Sequence, residues 1–261
     1  LHALGVPVER YYHFHPEPTG RFPRTPEPTT DNLADFCAEL PRFKADVTFV
    51  QDPDADRLAI IDEQCRPIGE EYTLALCAMH RLQRGEVTVA NLSTSRMIDD
   101  VAEQIGASVV RTPVGEANVA SAMRAHHAMI GGEGNGGVIL PEIGLVRNSL
   151  IGIALILELL AKRKQPLSEI VRQIPAYAIA KDKVPIDGQL TRELHRKLSE
   201  RYSDQTIDQQ DGVRIDWPDR WVHVRPSNTE PIVRLIAEAR DRQQANALLR
   251  EVKQTLGING G

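Results

Sequence analysis

Three carboxylates lie close together in residues 49–58, which read FVQDPDADRL, and an arginine follows them. Asp52, Asp54 and Asp56 alternate between two apolar stretches, so the sequence predicts a strand, a tight loop and a second strand. Carboxylates about 4 Å apart repel by about 4 kcal/mol at an effective dielectric constant of about 20. Because Arg57 cannot cancel three negative charges, this concentration of charge indicates a bound divalent cation.

The ligand types narrow the choice of metal. Carboxylate oxygens favour Mg²⁺, Mn²⁺ or Ca²⁺ over zinc, and since only three side chains are on offer, water or a phosphate oxygen must complete the shell. This favours Mg²⁺ beside a phosphoryl group. Two alternatives remain open, a merely solvated acidic turn and an aspartyl nucleophile at Asp52. An EF-hand is not indicated, because the glycine and glutamate that it needs downstream are not at the required positions.

A glycine-rich segment, GGEGNGG at residues 131–137, is the second candidate. Glu133 and Asn135 alternate with glycines, which expose backbone and permit close approach of a ligand. A carboxylate and an amide in such a loop suit sugar hydroxyls, although a flexible turn has the same composition. The segment lacks the GxGxxG spacing of a dinucleotide site. Nearby, TPVG at residues 112–115 could present backbone N–H groups to an anion, or simply start a helix.

The third candidate is RPSNTEP at residues 225–231, between two apolar segments. It offers a guanidinium fork, two hydroxyls, an amide and backbone N–H groups, which together make a nest of the size of a phosphate. A second fork could come from the following strand, and an ordinary turn is the alternative. The predicted phosphate ligands are Arg225, Ser227, Asn228, Thr229 and Arg234.

The elements that must position these segments predict an α/β chain. Strands and helices alternate over residues 64–172, which predicts a layered mixed α/β domain around the glycine-rich segment. Residues 173–261 predict a smaller α+β domain with an antiparallel sheet and helices on one face. Residues 1–63 are rich in proline at first, contain the acidic loop at their end, and are too few for a complete α/β domain. Since the sequence starts without methionine, we expect a fragment.

The composition restricts the class of function. With 41% hydrophobic residues, 26% charged residues and a net charge of −5, the 261-residue chain predicts a soluble globular protein without general affinity for nucleic acid. No apolar run approaches about 18 residues, so no membrane span is expected. Cys37, Cys65 and Cys77 form no CxxC pair, which fits the reducing cytoplasm. The oligomeric state is not predicted.

The segments DPDADR, GEGNGG and RPSNTEP, in this order and at domain-scale separations, resemble those of the α-D-phosphohexomutase superfamily. This superfamily includes phosphoglucomutase, phosphomannomutase and phosphoglucosamine mutase. The resemblance runs over essentially the whole chain. It implies the C-terminal part of the family's domain 2 in residues 1–63, domain 3 in residues 64–172 and domain 4 in residues 173–261.

The resemblance also implies an activity and a set of roles. The activity is the interconversion of hexose 1-phosphate and 6-phosphate through a phosphoserine and a hexose 1,6-bisphosphate, which serves as activator. Positioning and charge neutralisation carry most of such a phosphoryl transfer. The implied roles are Mg²⁺ binding by Asp52, Asp54 and Asp56, proximity to the transferring phosphoryl by Arg57, substrate contacts by Glu133, Asn135, Thr112 and Gly115, and phosphate binding by Arg225, Ser227, Asn228, Thr229 and Arg234.

The chain departs from the superfamily in two respects, the phosphoserine loop and the sugar loop, which reads GNG at residues 134–136 where many bacterial members have a serine and a histidine. The phosphoserine loop, a serine beside histidine and asparagine before proline, is missing from this sequence, so we expect binding of metal and phosphosugar without turnover. The sugar loop resembles archaeal-type phosphoglucosamine mutase or phosphoglucomutase, and glucose, mannose and glucosamine are all compatible with it. Two other functions stay open: a non-catalytic phosphosugar-binding module, and a HAD-type phosphatase that uses Asp52 as nucleophile.

Overall fold

The computed structural model of the chain describes residues 1–17, 19–185, 188–227 and 230–258, with only the backbone at residues 188–192. Within this part of the chain the strands form three sheets, of two, four and five strands. The expected fold class, mixed α/β followed by an α+β part with an antiparallel sheet, is confirmed. None of the described helices has the length and the apolar character needed to cross a membrane.

The N-terminal part is mostly irregular and ends in a hairpin. Its elements are 3₁₀ turns at His2–Leu4, Val8–Arg10, Asp31–Leu33 and Leu40–Arg42, helix α1 (Ala34–Glu39) and strands β1 (Thr48–Gln51) and β2 (Leu58–Ile61). The two strands pair antiparallel, and all four residues of β2 are buried. Leu58 and Ile60 enter the large central core, whereas Ala59 and Ile61 pack in a smaller N-terminal one. The hairpin is therefore anchored on both faces, as side-chain alternation along a strand requires.

The central part alternates helices and strands. Its elements are α2 (Glu71–Arg81), β3 (Val87–Asn91), α3 (Met97–Ile105), β4 (Ser108–Thr112), α4 (Glu116–Ala125), β5 (Ile130–Glu133), β6 (Gly137–Ile139), α5 (Ser149–Arg163) and α6 (Leu167–Val171). The sheet order is β4-β3-β5-β6, with parallel pairs β3–β4 and β3–β5 and an antiparallel pair β5–β6. Ala90 packs with α2, α3 and α5, whereas Val89 packs with α4 on the opposite face. Helices thus cover both faces of the sheet.

The glycine-rich segment is only partly a loop, which corrects the expectation from sequence. Its first half belongs to β5, where Gly132 pairs with Ala90 of β3 and with Val138 of β6. A Cβ atom on Gly132 would lie 2.0 Å from the carbonyl oxygen of Gly137, so a larger residue would force β6 away. Because β5 is paired closely with both neighbouring strands, the position of Glu133 at its C-terminal end is fixed.

The C-terminal part is an antiparallel sheet with two helices on one face. Its elements are β7 (Ala178–Pro185), α7 (Gly188–Arg201), β8 (Thr206–Asp208), β9 (Val213–Asp216), β10 (Trp221–Pro226), β11 (Ile232–Ala239) and α8 (Arg242–Leu256). The strand order is β7-β11-β10-β9-β8. Asp241 caps α8, because its side chain accepts the N–H of Gln244. The apolar face of the sheet and the two helices form a separate core.

The opposite face of this sheet is polar and lies against the central part. Val222 and Val224 enter the core, so Trp221, His223 and Arg225 point the other way, yet all three are buried. Hydrogen bonds between the two parts join Ser93 Oγ with His223 Nδ1 at 2.8 Å, Arg96 N with Glu238 Oε1 at 3.1 Å, Arg96 Nη1 with Trp217 O at 3.2 Å and Val114 N with Asp211 Oδ2 at 3.0 Å. This contact brings Arg225, the first residue of the RPSNTEP segment, toward the central sheet.

Candidate active site

The acidic triplet occupies the turn of the β1–β2 hairpin. The backbone reverses sharply, since Ala55 adopts a left-handed conformation with φ of 58° and its N–H donates to the Asp52 carbonyl at 3.2 Å. The N–H of Arg57 donates to Asp52 Oδ1 at 3.0 Å. One oxygen from each of Asp52, Asp54 and Asp56 lies within 4.8 Å of the others. The turn therefore converts alternating aspartates into one cluster, which we call the metal loop (residues 52–56).

The donors of the metal loop fit a hard divalent cation. The side chains of Asp52 and Asp56 are 7% and 20% exposed, and Asp54 is exposed. Asp56 Oδ1 is buried and has no hydrogen-bond partner among the described residues. This oxygen is therefore available as a metal ligand, beside the oxygens of Asp52 and Asp54. Burial, the close approach of the Asp52 carboxyl and the charges of Asp52 and Asp54 raise the pKa of Asp56 to about 6, although Arg147 acts in the opposite direction.

Arg57 is oriented by the proline-rich segment before the hairpin. Its Nη1 donates to Glu27 Oε1 at 2.9 Å. Its Nε lies 3.7 Å from both Asp52 Oδ2 and Asp56 Oδ1, and it makes no hydrogen bond within the described chain. From the same segment, Arg24 donates to the carbonyl that precedes Asp52 at 2.6 Å. Arg57 thus keeps one buried N–H group without an acceptor beside the metal loop.

The alternative of an aspartyl nucleophile gains no support from these surroundings. The Oδ1 atom of Asp52 accepts the Arg57 N–H, and the side chain is nearly buried. A nucleophile must reach an electrophilic phosphorus atom, which the exposed Asp54 would do more readily than Asp52. The geometry therefore favours metal binding as the use of this cluster.

Arg147, which no motif pointed to, joins the metal loop to the glycine-rich segment. Its Nη1 donates to Glu133 Oε2 at 2.8 Å, its Nε donates to Glu116 Oε2 at 2.9 Å, and its Nη2 forms an ion pair with Asp56. Burial acts to lower the pKa of Arg147, but these carboxylates outweigh it and raise the pKa. Because Arg147 directly precedes Asn148, the N-cap of α5, the sequence indicates only a helix start there.

Glu133 is the point where several site segments meet. Its Oε1 accepts from Asn91 Nδ2 at 2.8 Å and from the Gly115 N–H at 3.2 Å, and its Oε2 accepts from Arg147. Asn135 is half-buried, and its Nδ2 lies 3.5 Å from Glu133 Oε2. The structure therefore places the two predicted sugar ligands side by side. Their contact with sugar hydroxyls stays a prediction.

The TPVG loop lies between the sugar segment and the C-terminal part. Thr112 is buried at the end of β4, and Gly115 has a φ of 126°, which favours glycine and turns its N–H toward Glu133. The next N–H group back, that of Val114, donates to Asp211 Oδ2 at 3.0 Å. Both N–H groups therefore face carboxylates, as expected of a loop that can bind anions.

Two of the predicted phosphate ligands lie opposite each other on neighbouring strands. Arg225 of β10 pairs with Arg234 of β11, so their side chains share the polar face of the sheet. Arg225 is 8% exposed, and its Nε lies 2.9 Å from Asp211 Oδ2 without the geometry of a hydrogen bond. Arg234 is exposed and pairs with Glu230 at 2.6 Å. Arg225 is thus the buried member of the pair and Arg234 the accessible one.

Hydrogen bonds of Ser227 join the described residues on the two sides of the turn after Arg225. The N–H of Ser227 donates to the carbonyl of Ile232 at 2.8 Å, and its Oγ accepts the Glu230 N–H at 3.3 Å. The predicted ligands Asn228 and Thr229 lie outside the described residues. Ser227 therefore shapes the turn, and its contact with phosphate stays a prediction.

His223 lies two residues before Arg225, on the same face of β10. The ring is fully buried, with Nδ1 2.8 Å from Ser93 Oγ and Nε2 2.6 Å from the Asp211 carbonyl. Burial lowers its pKa to about 4, more than the nearby Asp211 raises it, so the ring is neutral near pH 7. His223 thus links the two parts and fixes the loop that carries Asp211.

The described contacts connect all the candidate segments without a gap. They run from Asp56 through Arg147 to Glu133 and Gly115, and from Val114 through Asp211 to Arg225. Asp211 was also missed, because Asp-Gly between two strands is typical of a hairpin turn. Two cavities of about 370 Å³ lie elsewhere, one beside Lys44 and Cys65 and one beside His127 and Leu145, and no residue of these segments lines either.

Comparison with protein families gives three matches along the chain. Residues 1–67 match the model described as phosphoglucomutase/phosphomannomutase, alpha/beta/alpha domain II, and residues 70–177 match alpha/beta/alpha domain III of the same family. Residues 169–255 match its C-terminal domain. The domain limits inferred from sequence, 1–63, 64–172 and 173–261, stay predictions.

Two archaeal relatives illustrate the similarity. The chain is 37% identical over 242 residues to the "Probable phosphoglucosamine mutase" of Methanopyrus kandleri, which covers 90% of this chain and 53% of that protein. It is 39% identical over 237 residues to the "Phosphoglucomutase/phosphomannomutase" of Thermococcus kodakarensis, with 89% and 52% covered. The chain therefore spans about half the length of these relatives.

Solved structures share the fold. A phosphoglucomutase/phosphomannomutase family protein from Burkholderia thailandensis superposes with a TM-score of 0.75 at 23% identity, over 90% of this chain and 52% of that one. N-acetylphosphoglucosamine mutase from Aspergillus fumigatus, solved in complex with GlcNAc-6P and magnesium, gives 0.60 at 17% identity, over 88% and 52%. At these identities the likeness concerns the fold alone.

Proposed function

Since the chain belongs to the phosphoglucomutase/phosphomannomutase family, we propose that it supplies the metal, sugar and phosphate sites of a phosphohexomutase. The reaction is an intramolecular phosphotransfer that interconverts hexose 1-phosphate and hexose 6-phosphate. Relatives named phosphoglucosamine mutase and phosphoglucomutase/phosphomannomutase support this reaction class. The three free cysteines of the described chain suit the reducing cytoplasm, where we place the reaction.

Asp52, Asp54 and Asp56 would hold Mg²⁺ in the metal loop. The buried Oδ1 atom of Asp56, which lacks a partner among the described residues, and the all-oxygen donor set support this assignment. The fungal mutase of the same fold was solved with magnesium and GlcNAc-6P. When bound, the cation neutralises charge on the phosphoryl group that is transferred.

Arg57 would orient the phosphoryl group at the metal loop. Its buried Nε–H group lies 3.7 Å from Asp52 Oδ2 and Asp56 Oδ1 without a hydrogen-bond acceptor among the described residues, and Glu27 holds the other end of the guanidinium. A planar fork fixed in this way can bind a phosphoryl oxygen without losing much side-chain entropy. The resemblance to the family assigns the same place to Arg57.

The sugar would lie between the metal loop and the phosphate turn. Glu133 and Asn135 offer acceptors and donors to hydroxyls from the end of β5, and the loop from Thr112 to Gly115 lines the adjoining side. Hydroxyl recognition by a buried carboxylate discriminates strongly, because an unmatched sugar leaves a polar group unpaired.

The phosphate that does not react would bind at the polar face of the C-terminal sheet. Arg225 and Arg234 provide two guanidinium forks there. Ser227, Asn228 and Thr229 belong to the RPSNTEP segment that Arg225 begins. Anchoring one phosphate holds the hydroxyl at the other end of the sugar in line for transfer. Reorientation of a 1,6-bisphosphate exchanges the two ends.

The phosphoryl donor in this proposal is the family's phosphoserine. Its phosphoryl group passes to a free hydroxyl of the sugar phosphate, and the other phosphate of the resulting 1,6-bisphosphate later returns to the serine. No Ser-His-Asn-Pro segment occurs in these 261 residues, so we expect the chain by itself to bind a hexose phosphate without turnover.

One observation carries the proposal more than any other. The metal loop, the sugar segment and the phosphate turn, which are separated by roughly the length of a domain in the sequence, are joined by continuous polar contacts through Arg147, Glu133 and Asp211. A sugar that carries a phosphate first at one end and then at the other requires a metal site and a phosphate site that are connected in this way. A solvated acidic turn or an ordinary Ser/Asn turn does not.

Thermal unfolding with hexose phosphates tests the proposal. At ten times Kd, glucose 6-phosphate or glucosamine 6-phosphate with Mg²⁺ should stabilise the chain by about 1.4 kcal/mol, which raises the Tm by about 3 to 6 °C. Arg225→Ala should abolish this protection, whereas Arg172→Ala, which removes an exposed arginine that pairs with Glu169 and belongs to none of the candidate segments, should preserve it. Protection by neither sugar, or equal protection in Arg225→Ala, would contradict the proposal.

A further inference from the structure

Arg147 is the residue on which this inference centres, and it lies outside every motif that the sequence offers. Its side chain is 15% exposed and forms ion pairs with three acids, one each from the metal loop, the start of α4 and the end of β5: Asp56, Glu116 and Glu133. We propose that Arg147 is a positioning residue that competes with the divalent cation for Asp56 and at the same time orders the sugar segment. The inference rests on the proposed function of the metal loop and deepens it.

Each nitrogen of the guanidinium has a separate partner. Nη2 pairs with Oδ2 of Asp56, Nη1 donates to Glu133 at 2.8 Å and Nε donates to Glu116 at 2.9 Å. Only a planar fork with fixed donor directions can satisfy three carboxylates in this way. The guanidinium of Arg147 therefore fixes the position of Asp56 Oδ2 in the metal loop relative to Glu133 Oε2 in the sugar segment.

The two oxygens of Asp56 differ in their surroundings. Oδ2 is held by Arg147, whereas Oδ1 is buried, accepts no hydrogen bond among the described residues and lies 3.7 Å from Arg57 Nε. A cation that binds Oδ1 shares the carboxylate with the guanidinium, and two positive charges on one carboxylate repel each other. Arg147 therefore lowers the affinity of the loop for a cation while it fixes the rotamer that presents Oδ1.

Arg147 has the opposite effect on the sugar segment, where its guanidinium supports binding because it holds Glu133 in place. Glu133 is nearly buried, and without Arg147 its carboxylate would lose its only described cationic partner. A buried carboxylate that loses its counter-charge either takes up a proton or moves toward solvent. In both cases its hydrogen bond to Gly115 and its place beside Asn135 change.

Loss of the charge at Arg147 should therefore have opposite effects at the two sites. In Arg147→Gln the cation should bind about tenfold more tightly, because a competing positive charge is removed. Glucose 6-phosphate should bind about tenfold more weakly, because Glu133 is no longer held. A residue with a merely structural role would weaken both, since a disordered site binds both ligands less well.

The experiment measures both affinities on the same 261-residue chain. Mn²⁺ binding is followed by electron paramagnetic resonance and glucose 6-phosphate binding by calorimetry, at about pH 8, where carboxylates of ordinary pKa are ionised. Arg147→Lys retains the charge and loses the fork, so its Mn²⁺ affinity should stay within about twofold of the parent while sugar phosphate binding falls. Lys253→Gln is the control, because it removes a cation whose side chain is 19% exposed and whose described partner, Asp182, lies outside the candidate segments.

The possible results separate the inference from the function beneath it. No Mn²⁺ binding by the parent chain would refute the metal loop itself. Parent binding with a parallel loss of both affinities in Arg147→Gln would leave the metal loop standing and overturn the role of Arg147. Opposite changes in Arg147→Gln, with neither affinity altered in Lys253→Gln, are the result that we expect.

Discussion

Asp211 and Arg225 face each other where the C-terminal sheet meets the TPVG loop. The Oδ2 atom of Asp211 lies 2.9 Å from Arg225 Nε and accepts the Val114 N–H at 3.0 Å. If Arg225 binds phosphate as we propose, this carboxylate competes with the phosphate for the guanidinium. It is an internal anion whose charge opposes that of an incoming phosphate.

Removal of this charge should strengthen phosphate binding. Asp211→Asn preserves the shape of the side chain and an oxygen for the Val114 N–H, but it removes the negative charge beside Arg225. We expect glucose 6-phosphate to bind about fivefold more tightly, which corresponds to about 1 kcal/mol for one partly exposed charge. Calorimetric titration measures the change. Asp216→Asn, which removes an acid paired with Arg214 instead, is the control, and weaker binding by Asp211→Asn would show that the carboxylate is needed to hold Arg225.

The buried His223 should make stability depend on pH. Its folded pKa of about 4 lies below the unfolded value of about 6.5, so the unfolded chain binds more protons between these pH values. The contribution of His223 to stability should rise with pH across this window and fall as the pH is lowered from about 6.5 toward 4, whereas Asp56, whose pKa is raised to about 6, contributes with the opposite sign. Urea unfolding at several pH values measures the slope, which His223→Gln should reduce by up to one proton.

The partner of His223 supplies the control for this experiment. Ser93→Ala removes the hydroxyl at 2.8 Å but leaves the ring in place. It should lower stability at every pH by about 1 kcal/mol and preserve the slope. An unchanged slope in His223→Gln would assign the acid sensitivity to other groups.

Much of the fold follows from the sequence, because alternation and turn signals are local. The alternation of strands and helices over residues 64–172 and the antiparallel sheet with helices on one face over residues 173–261 are both predicted from the sequence and both observed. Strand β5 was missed, since its glycines are typical of a loop and only the close approach of β6 to Gly132 explains them. This contact joins residues that the sequence shows merely as members of one glycine-rich run.

The site was predicted in part for a similar reason. The aspartates of the metal loop are a local cluster, and alternation is enough to bring them together. Arg147 and Asp211 act between segments that are distant in sequence, so neither has a spacing that reveals it. Glu133 was found as a polar residue among glycines, but its ion pair with Arg147 is a tertiary contact. Long-range ion pairs of this kind are what sequence patterns cannot show.

The close approach at Gly132 predicts a large effect of one methyl group. The added Cβ of Gly132→Ala would meet the Gly137 carbonyl at 2.0 Å, so β6 must move. We expect a loss of at least about 2 kcal/mol of unfolding free energy, typical of overpacking against rigid backbone. Urea unfolding measures it. Gly144→Ala, whose Cβ would have its nearest neighbour at 3.9 Å, should change stability by less than about 0.5 kcal/mol.

A substitution at Asp54 distinguishes the charge repulsion within the metal loop from the binding of the metal. It is the exposed member of the cluster, so Asp54→Asn removes a charge without leaving a cavity. Without metal, the variant should be more stable than the parent by about 0.5 to 1 kcal/mol, because like charges are relieved. With Mg²⁺ the order should reverse, since the parent gains binding energy that the variant loses. Thermal unfolding with and without Mg²⁺ tests both statements, and Asp46→Asn, an exposed aspartate outside the cluster, should show neither effect. If Asp54→Asn responded to Mg²⁺ as the parent does, Asp54 would not be a ligand and the cation would be held by the remaining carboxylates alone.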